Sequence, residues 1–106
     1  MKILKFCVSG QTISWDNPID IVAGSEEYLY CEFAFNGDWE GKNKLYKFSA
    51  GADVYSGMVD ENGLVKVPFE VIKPPHFVIS CGGYEGTEFI PTAGIKIKVK
   101  ENGYGD

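Results

Sequence analysis

Apolar and polar positions alternate with a period of two along most of the chain, and EYLYCEFAF (27–35) shows it most clearly. Leu29, Cys31, Phe33 and Phe35 fall on one side, with Tyr28, Tyr30, Glu32 and Ala34 on the other. That predicts a central strand with a strongly apolar inner face. ILKFCV (3–8) alternates likewise, with Leu4, Phe6 and Val8 as its inner set, and QTISW (11–15) follows across Ser9-Gly10 in position to form a hairpin with it. Asp16-Asn17-Pro18 breaks the chain before a short strand at IDIVA (19–23). KLYKFSA (44–50) sets Tyr46 and Phe48 on a buried side. DVYSGMVDENGLVKVP (53–68) reads as two strands around the turn Asp60-Glu61-Asn62-Gly63, where Gly63 can take a positive φ. In PFEVIKPP (68–75), Pro68 can start a single helical turn and Pro74-Pro75 ends it. HFVISCGGYEG (76–86) is a strand running into glycines, and TEFIPTAG (87–94) carries the chain to a last strand at 95–100. The tail ENGYGD (101–106) is expected to be loose.

The segments amount to roughly seven to nine short strands with a turn about every eight to twelve residues. None is long enough for an ordinary helix. Two packed antiparallel sheets or a small barrel satisfy that spacing, and 106 residues suffice for one domain, 1–106. With 44% hydrophobic and 14% aromatic residues the chain can bury a core. No apolar run approaches the roughly 18 residues of a membrane span. The opening MKILKFC alternates with Lys2 and Lys5, unlike the continuous apolar region of a signal peptide, so synthesis in the cytoplasm is expected.

Charge narrows the partners. The net charge is −5, and all ten basic residues are lysines. Arginine supplies the bidentate grip on phosphates and guanines, and an acidic chain is repelled by nucleic acid and anionic membranes. No nucleic-acid or membrane partner is expected. In KIKVK the lysines Lys96, Lys98 and Lys100 share one face while Ile95, Ile97 and Val99 share the other, as in a half-buried strand. Cys7, Cys31 and Cys81 each sit in an apolar segment, where a free cysteine acts as a small hydrophobe. A Cys31–Cys81 bridge between two sheets is conceivable, although Trp39 follows Cys31 too closely for the immunoglobulin cysteine–tryptophan pattern. His76 and Cys81 make two scattered ligands where structural zinc needs four, and no metal or other cofactor is expected.

Catalytic motifs are missing from the sequence: there is no Gly-rich phosphate loop, GxSxG elbow or HExxH. Asp38 and Glu40 flank Trp39 in the polar loop FNGDWEGKNK, but alternate acidic residues in such a loop are ordinarily solvated turn formers, and no enzyme is expected. Trp39 either folds back into the core or stands out to stack on a ligand. In the second case it joins Tyr28, Tyr30, Asp38 and Glu40 as a candidate partner or ligand surface, and a carbohydrate-binding β-sandwich is the alternative function. A third is a small protein that blocks a host enzyme through its acidic surface.

The order of the pieces resembles a phage and prophage β-sandwich module found at the amino terminus of upper baseplate and tail-fibre proteins. The resemblance runs over roughly residues 3 to 100 and is carried by Phe33, Phe35, Trp39, Gly41, Phe48, Tyr55, Asp60, Val67, Pro68, Glu70, Val71, Gly82 and Gly83. It implies an all-β, immunoglobulin-like antiparallel β-sandwich in a non-enzymatic virion structural protein, a tail- or baseplate-associated docking module. Its expected partners are other virion proteins and further copies of itself, with a cell-surface glycan as the alternative. It also implies that Trp39 closes one end of the sandwich over the phenylalanines, with Gly37 and Gly41 turning the chain on either side. Members of that family usually continue into a fibre or carbohydrate-reading region, and no such region follows in these 106 residues. What carries over is scaffold and attachment.

Overall fold

Each alternating run becomes a strand whose apolar side turns inward, and the described residues, 1–105 of the computed structural model, form ten strands. They are β1 (Lys2–Ser9), β2 (Thr12–Trp15), β3 (Ile21–Val22), β4 (Leu29–Phe35), β5 (Asn43–Ala50), β6 (Asp53–Met58), β7 (Leu64–Lys66), β8 (His76–Glu85), β9 (Glu88–Pro91) and β10 (Ile95–Lys100). Two single turns of 3₁₀ helix, Gly37–Trp39 and Phe69–Val71, complete the structure. The second is the turn expected after Pro68.

Sheet one has the order β2-β1-β4-β7, and sheet two the order β3-β10-β8-β5-β6, with β9 on the free flank of β8. Leu4, Phe6, Val8, Leu29, Cys31 and Phe33 of sheet one are buried, as are Phe48, Phe77, Ile79, Cys81, Ile97 and Val99 of sheet two. They meet in one core, as the alternation predicts. Phe6 stacks on Trp15 and on Phe33, both at 5.8 Å, and so ties β1 to its two neighbours, β2 and β4.

Two pairings depart from a purely antiparallel sandwich. β1 runs parallel to β4 in the register Lys2↔Leu29 to Val8↔Phe35, and β10 runs parallel to β3. Period-two patterning dictates which face a strand buries, not the direction of its neighbour. The strands around Asp60–Gly63 differ too. They form no hairpin: β6 pairs with β5 in sheet two, and β7 pairs with β4 in sheet one, so this turn crosses between layers. TEFIP, read as a connection, is instead strand β9, hairpinned onto β8 through Tyr84↔Phe89 and Glu85↔Glu88. In the tail, Glu101–Gly105 are exposed and irregular; the Asn102 side chain donates to Ala23 O and accepts from the N–H groups of Tyr104 and Gly105. Asp106 of that tail lies outside the described residues.

The crossing turn depends on Gly63. Its φ is +70°, its N–H donates to Asp60 O at 3.0 Å, and its carbonyl accepts from Phe33 N–H at 2.8 Å. A Cβ there would lie 2.6 Å from Phe33 O. Strain and clash coincide, and the clash is with backbone that cannot swing away. Gly63→Ala is expected to destabilise the fold by about 1–3 kcal/mol, read as a lower urea midpoint with an unchanged slope.

Candidate binding surface

The loop after β4 is built from its cap outward. Asn36 accepts the Gly37 N–H on its own side chain, donates to Ser9 Oγ at 2.9 Å, and offers its carbonyl to Trp39 N–H at 2.9 Å. This winds the single 3₁₀ turn and points Trp39 inward, where it is 1% exposed. The indole rests against Phe35 at 5.3 Å and on the backbone of Gly83, where a Cβ would sit 2.6 Å from Cζ3. Its Nε1 donates to Gly10 O at 2.9 Å, and Asp38 Oδ2 accepts the Gly10 N–H at 3.0 Å. Both backbone polar groups of Gly10, in the β1–β2 turn, are thus held by the Trp39 loop. Gly41 turns the chain out again at φ +81°, whereas Gly37 sits at no positive φ. Trp39 is therefore a core plug and Asp38 its clasp.

The five candidate residues do not come together. Trp39, Asp38 and Glu40 lie beyond the carboxyl end of β4, with Trp39 buried and the two carboxylates exposed. Tyr28 and Tyr30 lie at its amino end. Tyr28 is 49% exposed, and Tyr30 is half-buried on the outer face between Ile3 of β1 and Lys66 of β7. A seven-residue strand separates the two groups by about 20 Å.

A different surface stands out on the outer face of sheet two. Tyr84 and Phe89, 45% and 47% exposed, lie side by side with ring centroids 4.6 Å apart. The Phe89 ring rests on Gly82, where a Cβ would come within 2.8 Å of it. A groove of ≈ 300 Å³ runs beside it, lined by Leu45, Lys47, Ser56, Ser80, Phe89 and Pro91. The ladder registers put Lys47, Lys96 and Lys98 on the same face, against Ser80, Val78 and His76. Among the described residues, Asp53, Glu85 and Glu88 are the carboxylates of β5, β6, β8, β9 and β10, and all three have the opposite parity. The chain is acidic, but this face is aromatic and cationic. The signal for it was present in the alternation of CGGYEGTEF, which sets Gly82, Tyr84 and Phe89 on one side once residues 86–87 are read as a two-residue hairpin turn.

All three cysteines are free. Cys31 and Cys81 face the core from opposite sheets, and Cys7, whose parity opposes that of Phe6 and Val8, is exposed. Burial pushes the Cys81 thiol up to about 12 and raises Cys31 further, with the neighbouring Cys81 a second cause. Asp16 raises Cys7. Among the described residues no three of His, Cys, Asp and Glu come together as metal ligands would, and no helix is long and apolar enough to cross a membrane. No protein-family model matches this chain, and neither does any curated protein or solved structure.

Two expectations follow. Trp39→Ala removes the plug and orphans the Gly10 carbonyl, and should cost about 3–5 kcal/mol in urea unfolding; Trp39→Phe should recover part of this. The buried thiols stay neutral in the folded chain but ionise near pH 9.0 once unfolded. Their contribution is therefore fully present below pH 9.0 and is lost as pH rises toward about 12. Under reducing conditions the stability of the native chain should fall across that window, and a Cys31→Ala/Cys81→Ala variant should lose less of its own.

Proposed function

We propose that this chain is a non-enzymatic structural protein of a phage or prophage virion, a tail- or baseplate-associated module that is made in the host cytoplasm and works by docking to other proteins of the particle. The observation that carries the docking part is the outer face of sheet two. A tilted Tyr84–Phe89 pair stands beside an apolar groove that Lys47 lines, with Lys96 and Lys98 farther along the same face of an otherwise acidic chain. An apolar and aromatic centre with a polar rim is the anatomy of a protein-binding patch. The virion part is supported by the order of motifs from Phe33 to Gly83. Several of those residues, namely Phe33, Phe35, Trp39 and Phe48, belong to one packed core, and Gly83 seats the Trp39 ring. A residue pattern whose purpose is to hold a rigid sandwich suits a part whose task is attachment. Copies of the chain itself are among its proposed partners.

The exposed aromatic pair also favours a second reading, binding of a cell-surface glycan by stacking of sugar rings on Tyr84 and Phe89.

Particles purified by density gradient after prophage induction, and probed with an antibody against the chain, should carry it in the tail-containing fraction. Exclusive recovery in the soluble fraction overturns the virion assignment. If cell-wall polysaccharide then also shifts the amide resonances of Tyr84 and Phe89, the glycan reading takes its place.

A further inference from the structure

The β5–β6 ladder determines which backbone groups of β6 are already used. Val59 N–H donates to Lys44 O at 2.8 Å, one step beyond the Leu45↔Met58 pair. Bonded and unbonded pairs alternate in an antiparallel ladder, so Asp53, Tyr55 and Gly57 turn their N–H and C=O groups toward β5. Those of Val54, Ser56 and Met58 turn the other way, and β6 is the last strand of its sheet. The side chains of the same three residues are exposed, Val54 by 52% and Met58 by 65%.

Sheet edges are ordinarily blunted by lysine, proline, a bulge or extreme shortness. β6 has six residues with neither Lys nor Pro. By comparison, β3 has two residues, β7 has three with Lys66, and β9 has four with Glu88 and Pro91. β2 has four, and the adjoining Gln11 is tied to Ala93 N–H and Pro91 O. The one charge of β6, Asp53, stands at its first position, where Lys73 Nζ holds it at 2.5 Å.

We propose that this edge pairs antiparallel with β6 of a second copy, about a twofold axis at Ser56. Centring there matches all three outward residues: Val54 meets Met58 of the second copy, Ser56 meets its own counterpart, and Met58 meets Val54. The pairing makes about six backbone hydrogen bonds. The row is self-complementary, apolar against apolar and hydroxyl against hydroxyl, and Tyr55 comes opposite Gly57 of the second copy. Although each copy carries −5, no carboxylate faces another along the Val54–Met58 row. At the ends, Asp53 carries its own counter-ion, so it meets the second copy as a neutral pair. The register sets Asp53 against Val59 of the second copy, which brings the Lys73–Asp53 pair toward the other chain's acidic Asp60-Glu61 turn, twice by symmetry. A foreign strand would have to reproduce this order of groups, whereas a second copy has it built in. The inference does not depend on the virion reading.

An edge of three outward residues makes a small, reversible interface. Sedimentation equilibrium on the full chain from about 10 μM to about 1 mM, a range suited to such an interface, should show a monomer–dimer equilibrium. Ser56→Lys sets two ammoniums together on the axis and should weaken dimerisation at least about tenfold, with the melting curve unmoved because Ser56 is exposed. Ser56→Cys in a Cys7→Ser background should give a covalent dimer on mild oxidation, since bonded pairs stand about 5.5 Å apart at Cα, within disulfide reach. A chain that stays monomeric throughout overturns the proposal. So does a dimer that Ser56→Lys leaves intact and Ser56→Cys fails to lock, because another surface then forms it.

Discussion

Two adjacent positions on β8 carry no side chain, and much of the molecule depends on that. Gly83 gives the Trp39 ring its seat on the inner face, and Gly82 seats Phe89 on the outer face, each so close that a Cβ would overlap the ring. Successive strand residues point to opposite faces, so a glycine pair thins the sheet on both sides at once. Inside, the thinning lets an indole close the sandwich. Outside, it lets a phenylalanine settle close to the backbone beside Tyr84 and form one wall of a groove. The plug and the exposed aromatic patch are two consequences of one local absence.

The plug in turn fastens elements distant in sequence. Through Nε1 and the Asp38 carboxylate the loop after β4 grips Gly10 at the β1–β2 turn, and through its ring it covers β8 of the other sheet. Nearby, the largely buried Lys42 side chain reaches the exposed carboxylate of Glu85 at 3.7 Å and keeps to the same geometry. The opposite flank is closed by chain, where the Asp60–Gly63 turn passes from sheet two to sheet one and the 3₁₀ turn at Phe69–Val71 buries Val71. The layers are therefore clasped by hydrogen bonds and apolar contact, with no covalent link between Cys31 and Cys81.

How much of this was legible follows from what alternation encodes. The inner sets Leu4-Phe6-Val8, Leu29-Cys31-Phe33 and Ile97-Val99 could be read directly, because a half-buried strand writes its orientation into every second residue. Sheet membership could not. Nothing in DVYSGM or LVK says that one strand joins sheet two and the other sheet one, since pairing is decided by distant partners. The parallel direction of the β1–β4 pair goes unwritten in the alternation for the same reason. For the candidate surface, the residues around Trp39 allow either a plug or a platform, because a polar loop of turn formers does not encode which way its one large ring packs, and Tyr28 and Tyr30 share only a strand with it. The Tyr84–Phe89 pair exists only through hairpin register, so it was hidden while TEFIP was read as a connection.

The strand order also implies a schedule for synthesis. Every strand of sheet one comes from residues 2–66, whereas the centre of sheet two, β8, begins at His76, and β10 ends at Lys100. A chain growing from its amino end can thus assemble one whole layer before the strand that must cover it exists. During that interval Leu4, Phe6, Val8 and Phe33 form an uncovered apolar wall, and the indole of Trp39 has no glycine to rest on. The last third of the chain thus supplies the cover for the layer that its first two thirds build.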